Sequence, residues 1–189
     1  MKTDAEKDKK PGLKLFVSKM PVPKNSASKA AGEQGQDRDI TIRTMTIDDY
    51  DEVYALWKTI EGFGIRSIDD SREGTERFLK RNPTTSVVAL DGGKIVGSIL
   101  CGHDGRTGCF YHVCVKKKYR KQGIGKQMAT AAMRALQAEH INKVNLIAFK
   151  KNEGGNAFWK CVGWKCRTDV NYYDFVLNEK NITRFNELN

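Results

Sequence analysis

The period of the hydrophobic positions changes several times along the chain, and each change marks an element. Ile40-Thr41-Ile42-Arg43 alternates as a half-buried strand does. Thr46 is a good helix cap, with Asp49 three residues on, near the helix's positive end. Ile47, Tyr50, Val53, Tyr54 and Trp57 then recur at helical spacing. Glu61-Gly62-Phe63-Gly64-Ile65 breaks that pattern, and Asp70 with Glu73 makes a capping box for a second helix carrying Phe78 and Leu79. Residues 87–90, the turn Asp91-Gly92-Gly93 and residues 95–100 predict an antiparallel hairpin. A second turn over 104–108 leads into a strand at 110–115. A long helix follows over 123–140, with Ile124, Met128, Ala131, Ala132 and Ala135 near helical spacing. Residues 144–149 read as a strand, 157–162 as a short helix, and 164–167 with 172–177 as closing strands. Hairpins before the central helix and a strand-helix-strand unit after it predict an α/β chain with one mixed sheet.

Ahead of Ile40 no hydrophobic period survives beyond 13–17. Residues 1–39 hold nine Lys/Arg and six Asp/Glu with Pro11, Pro21 and Pro23, and read as a disordered or loosely docked basic tail. The domain is expected over 40–178, with 179–189 as a C-terminal tail. No apolar run reaches the roughly 18 residues of a membrane-spanning helix. Asp4, Glu6 and Asp8 oppose a mitochondrial presequence, and no apolar stretch follows the first lysines. The expectation is a cytoplasmic protein without a membrane partner. Five cysteines, at 101, 109, 114, 161 and 166, show no C-x-x-C spacing, so they read as packing thiols and no metal site is expected. The formal charge of +10 raises a nucleic-acid reading, but the cations are scattered and no zinc-finger spacing or basic helix appears. A polyanionic ligand calls for the same charge.

The most informative run is Val113-Cys114-Val115-Lys116-Lys117-Lys118-Tyr119-Arg120-Lys121-Gln122-Gly123-Ile124-Gly125-Lys126. It joins a strand to a helix through a loop rich in cations and glycine. Unpaired N–H groups and partial positive charge at a helix N-terminus bind phosphate, and glycine lets the phosphate approach the backbone. A Walker A loop is excluded, because Arg120 stands at its first glycine and Gln127 follows Gly125-Lys126. Met128 occupies the third small position that a dinucleotide fingerprint requires.

Arg120-Lys121-Gln122-Gly123-Ile124-Gly125 resembles the pyrophosphate loop R/Q-x-x-G-x-G/A of the GNAT superfamily of N-acetyltransferases. Asn152, Phe158-Trp159 and Gly163-Trp164 extend the likeness to the family's N-x-x-A-x-x-[LF]-Y-x-x-x-G-F segment, so that it covers about residues 40–178. The resemblance implies a central mixed, mostly antiparallel sheet with splayed fourth and fifth strands, flanked by about four helices. It implies acetyl-CoA as acetyl donor and a primary amine as acceptor, with direct attack on the thioester. Val113 and Val115 would offer backbone contacts to pantetheine; Arg120, Lys121, Gln122, Gly123, Ile124, Gly125 and Lys126 would cradle the pyrophosphate; Asn152 would lie beside the pantetheine arm. An N–H near Val113 would stabilise the oxyanion.

Two positions depart from the family. Trp159 replaces the tyrosine that often protonates the leaving thiolate, and Thr107 stands roughly where some members carry a basic glutamate. Tyr111 and His112 are the nearest titratable side chains and the candidates for catalysis; simple alternation turns Tyr111 with Val113 and Val115, and His112 away from them, unless a bulge reverses it. Glu61, Asp69 and Asp70 fall where the acceptor site is bordered in this family, with helix capping the alternative role of Asp70; the turn Gly102-His103-Asp104-Gly105-Arg106 would rim the same cleft or be a plain hairpin turn. A non-catalytic acyl-CoA-binding module stays open beside the enzyme, with nucleic-acid binding a distant third. Both a monomer and a homodimer fit.

Overall fold

The computed structural model describes residues 39–186, so the N-terminal tail expected over 1–39 lies outside the described residues save for Asp39. In chain order the elements are β1 (Ile40–Thr44), α1 (Tyr50–Lys58), β2 (Gly64–Arg66), α2 (Arg72–Arg81), β3 (Val87–Asp91), β4 (Lys94–His103), β5 (Gly108–Val115), α3 (Ile124–Ala138), β6 (Val144–Leu146), α4 (Glu153–Cys161) and β7 (Thr183–Phe185). The central sheet has the order β1-β3-β4-β5-β6. Its first three pairings are antiparallel and β5–β6 is parallel, which is the mixed, mostly antiparallel sheet that the sequence predicts. β2 and β7 form a separate antiparallel ribbon.

Local chemistry sets the element boundaries. A 3-10 turn over Ile47–Asp49 precedes α1, and Asp49 Oδ2 accepts the Thr46 N–H at 2.9 Å, satisfying one donor ahead of the helix. The cap of α2 is Ser71, whose Oγ accepts the Gly74 N–H at 3.0 Å; Asp70, expected as the cap, is turned elsewhere. Gly92 and Gly93 have φ of 55° and 81°, the left-handed pair that a tight two-residue hairpin needs.

The sheet is buried on both faces. On one, Val87, Ala89, Val96, Ile99 and Phe110 pack with Ile124, Met128, Ala132 and Leu136 of α3. On the other, Val88, Ile95, Leu100 and Cys114 pack with Val53, Leu56 and Trp57 of α1 and Leu79 of α2. Burial of such side chains stabilises by about 1.5–3 kcal/mol each. The one polar atom of Trp57 is satisfied, its indole N–H donating to Ser98 Oγ at 3.0 Å. No helix among the described residues is long and apolar enough to cross a membrane.

The second half of the domain departs from the sequence pattern. The strand expected over 144–149 stops at Leu146, and the helix expected over 157–162 begins earlier, at Glu153, where Asn152 Oδ1 accepts the Gly155 N–H. Residues 164–167 and 172–177 form no strand. Alternation makes a strand only where a sheet edge pairs it, and here Tyr173, Phe175 and Leu177 stand 85%, 86% and 94% exposed. By contrast β7, inside the segment expected to be a tail, is paired: Gly64, Ile65 and Arg66 face Phe185, Arg184 and Thr183.

Candidate active site

The sheet opens on one side of β5. Pairing with β6 covers only Gly108, Cys109 and Phe110, opposite Val144, Asn145 and Leu146. β5 continues to Val115 while the chain leaves β6 after Leu146, so a gap starts just past Phe110. The Lys116 N–H donates to the Val96 carbonyl at 2.8 Å, on the β4 side. Backbone groups alternate along an antiparallel strand, so the N–H groups of Val113 and Val115 face the gap. In keeping with this, the Val115 carbonyl accepts Arg120 Nε at 3.0 Å.

The loop at the end of β5 is shaped for an anion. Lys121 has φ of 61° and Gly123, the N-cap of α3, φ of 80°. Left-handed residues in such a loop turn backbone N–H groups into a common concavity. Gln127 N–H bonds the Gly123 carbonyl, and the N–H groups ahead of it have no intrahelical acceptor. A Cβ on Gly123 would meet only the Gln127 amide, at 3.9 Å, so the backbone is open to a ligand. Gly125 has a different reason to lack a side chain: a Cβ there would lie 3.2 Å from the Phe158 ring of α4. The Ile124 side chain is 2% exposed and anchors the loop in the core, leaving its backbone for binding. Arg120, Lys121, Gln122 and Lys126 are exposed, and residues 116–126 hold six cations and no acid. A pyrophosphate fits this donor set. Asn152 is committed through its side-chain oxygen to capping α4, and Trp159 belongs to an aromatic cluster with Phe110, Phe158 and Trp164.

A bulge decides where the titratable side chains of β5 point. The β4–β5 register shifts between Ser98 and Leu100, and His112 takes φ of 45°. Tyr111 meets Phe78 of α2 edge-on at 5.9 Å, while His112 lies 4.5 Å from Trp57 and 5.4 Å from Phe63. Phe110, Val113 and Val115 instead pack on the α3 face. Tyr111 therefore does not share a face with Val113 and Val115; the extra residue of the bulge sends both Tyr111 and His112 to the α1/α2 side. Tyr111 is 46% exposed, and the partial burial of its ring, reinforced by the neighbouring Cys109, raises the phenol above its ordinary range, so it stays protonated at neutral pH.

Asp70 comes to the same place. It is 5% exposed; Oδ1 lies 2.7 Å from His112 Nε2, and Oδ2 accepts the Arg66 N–H at 2.6 Å. This pairing spans 42 positions of sequence, and no spacing motif could have announced it. Asp69 is held by Asn181 Nδ2 at 2.7 Å. The turn at 102–106 belongs to the other end of the sheet: His103 lies 2.8 Å from Glu139, the C-cap of α3, and Asp104 accepts the Arg106 and Thr107 N–H groups.

Residues 50–164 match the model of the acetyltransferase (GNAT) family. An acetyltransferase of Sodalis glossinidius is 33% identical over 129 residues, covering 68% of this chain and 89% of that protein. One from Yersinia pestis (strain Pestoides F) is 31% identical over 112 residues, 59% of this chain and 78% of the relative. The crystal structure of the PaiA N-acetyltransferase of Thermoplasma acidophilum in complex with coenzyme A aligns with a TM-score of 0.60 at 16% identity, over 70% of this chain and 93% of that one, which is a likeness of fold. The family match spans most of the domain and includes both the splayed strands and the glycine loop: the chain belongs to the acetyltransferase (GNAT) family and is an acyltransferase.

Proposed function

We propose that the protein transfers the acetyl group of acetyl-CoA to a primary amine by direct attack in the gap between β5 and β6. The acceptor is a small-molecule amine, a peptide N-terminus or a lysine. The observation that carries this reading is the opening of the gap immediately after Phe110, with the cationic loop of α3 at its other end. That arrangement suits a thioester at one end of a long ligand and a pyrophosphate at the other. Arg120, Lys121, Gln122, Gly123, Ile124, Gly125 and Lys126 would bind the pyrophosphate, through backbone N–H groups and cations. The outward backbone of Val113 and Val115 would hold the pantetheine arm, with Asn152 at its side. The Val113 N–H is the fixed donor for the oxyanion, a role that contributes several kcal/mol where water is excluded. The acceptor enters from the α1/α2 face, where Tyr111 and His112 stand. A lysine-like amine, with pKa near about 10.4, must lose a proton to attack. Tyr111, held neutral, offers a hydrogen-bond donor and a wall for the acceptor. Five cysteines without a disulfide suit a reducing compartment such as the cytoplasm.

Calorimetry with acetyl-CoA tests this directly, on wild type and Gly123→Asp. Aspartate tolerates the left-handed backbone there and sets a carboxylate in the anion site. Wild type is expected to bind in the micromolar range, and the variant about tenfold more weakly or worse, with its melting temperature nearly kept. Mass spectrometry of spermidine, glucosamine and a lysine peptide incubated with acetyl-CoA should then show an N-acetylated product. A folded wild type that binds no acetyl-CoA would overturn the reading.

A further inference from the structure

An amine that attacks a thioester must give up a proton, and the face of β5 open to the acceptor holds one imidazole. The His112 ring is packed on Trp57 and Phe63, with a side chain 15% exposed. Its Nε2 is fixed on Asp70 Oδ1 at 2.7 Å. Asp70 is fixed in turn: its other carboxylate oxygen takes the Arg66 N–H, and its carbonyl takes the Tyr50 hydroxyl at 2.9 Å. An ionised carboxylate only accepts, so the hydrogen of a neutral ring sits on Nε2 and the lone pair on Nδ1. Among the described residues Nδ1 has no hydrogen-bond partner, and it is not a buried orphan, a condition met there only by Thr75 Oγ1. Nδ1 is thus the ring nitrogen that no described residue engages. A glycine would take φ of 45° at this bulge without strain. The position instead carries a ring with one nitrogen anchored and the other free.

We propose that His112 is the proton acceptor of the acetyl transfer and Asp70 its positioning residue, an assignment that rests on the acetyl-transfer reading of the gap. His112 Nδ1 takes one proton from the substrate ammonium. The freed nitrogen attacks the thioester carbon, the C–N bond forms, and the C–S bond breaks as the oxyanion collapses. The second nitrogen proton passes to the departing thiolate to give free coenzyme A, and His112 returns its own proton to solvent. Among the described residues, Asp70 bonds the ring, the Tyr50 hydroxyl and the Arg66 backbone N–H bond Asp70, and the Arg66 side chain and Tyr111 are the neighbouring charged and titratable groups.

Nitrogen-15 correlation spectra of the full chain read the ring directly, with three histidines to assign and His112→Gln to mark the signal. The neutral ring is expected to be protonated at Nε2, and Asp70→Asn to mix the tautomers. In rate measurements with spermidine and a lysine peptide, H112Q and D70N should lower kcat/KM by about a hundredfold or more. Their acetyl-CoA affinity should stay within about threefold of wild type, since neither residue lies on the pyrophosphate loop. The pH–rate profile of wild type should rise along a limb that H112Q lacks. His112→Asn, which suits the left-handed backbone, is the second variant should H112Q fold poorly. A neutral ring protonated at Nδ1, or wild-type kcat/KM in a folded H112Q or H112N, overturns the pair while leaving acetyl-CoA binding and the transfer reading intact. Wild type that binds no acetyl-CoA removes the reading and the pair together.

Discussion

Asp49 ties the first strand to the first helix through its two carboxylate oxygens. Arg43 donates to both, each at 2.7 Å, and the Thr46 N–H adds a third bond. Burial works against ionisation of Asp49, but the Arg43 and Thr46 bonds outweigh it, and the carboxyl lies below its usual range. A carboxyl lowered in the folded state contributes stability at pH values above its unfolded pKa, near about 3.9, and loses it as pH falls through the folded value. Asp49→Asn is therefore expected to cost about 1–3 kcal/mol at pH 7. In urea titrations the difference from wild type should narrow steadily below about pH 4. A difference that is unchanged in acid would mean that the charge of Asp49 contributes nothing.

The elements that carry the site are braced from a distance. Asn186, just after β7, donates through Nδ2 to the carbonyls of Trp57 and Ile60, both at 2.7 Å, and its own N–H donates to the Phe63 carbonyl. Asn181 accepts the Ile68 N–H, and Ser67 Oγ donates to the Lys180 carbonyl. Residues 180–186 thus clasp the end of α1 and the connection that holds Asp70. Asn186→Ala would remove one donor from each of two carbonyls, which keep the Ile60 and Phe63 N–H groups, and should lower stability by about 0.5–1.5 kcal/mol in urea denaturation. A loss under about 0.5 kcal/mol, the ordinary range of surface substitutions, would contradict the clasp. This clasp also explains what the sequence could not show. Helices α1, α2 and α3 and the 87–103 hairpin rest on local periods and turns, and were legible. β2 and β7 are three residues each and lie more than a hundred positions apart, so neither has a period to read. The bulge at His112 adds one residue to a strand whose alternation otherwise looks regular, and so hides the face on which Tyr111 lies. The cationic glycine loop ahead of α3 was readable because its residues are adjacent in sequence; the Asp70–His112 contact was not, because it exists only after folding.

At the scale of the whole molecule the question is what the positive charge is for. The first 39 residues hold nine Lys/Arg against six Asp/Glu, so most of the +10 formal charge lies beyond them. Its densest part is Lys116, Lys117, Lys118, Arg120, Lys121 and Lys126, around the N-terminus of α3. These side chains are largely in solvent, where the screening length falls from about 10 Å at 0.1 M salt to about 3 Å at 1 M. If they act on the phosphates of acetyl-CoA, the dissociation constant should rise about tenfold over that range. Acetylpantetheine, which has the thioester arm and no phosphate, should bind weakly and with little response to salt. Lys121→Glu with Lys126→Glu should flatten the salt dependence of acetyl-CoA while leaving that of acetylpantetheine unchanged. A nucleic-acid role predicts a different pattern: duplex RNA or DNA would compete with acetyl-CoA for the loop, and its affinity would fall with salt more steeply than that of the smaller anion. Acetyl-CoA binding that ignores salt would separate the charge from the cofactor loop and leave the backbone N–H groups of α3 as its sole phosphate donors.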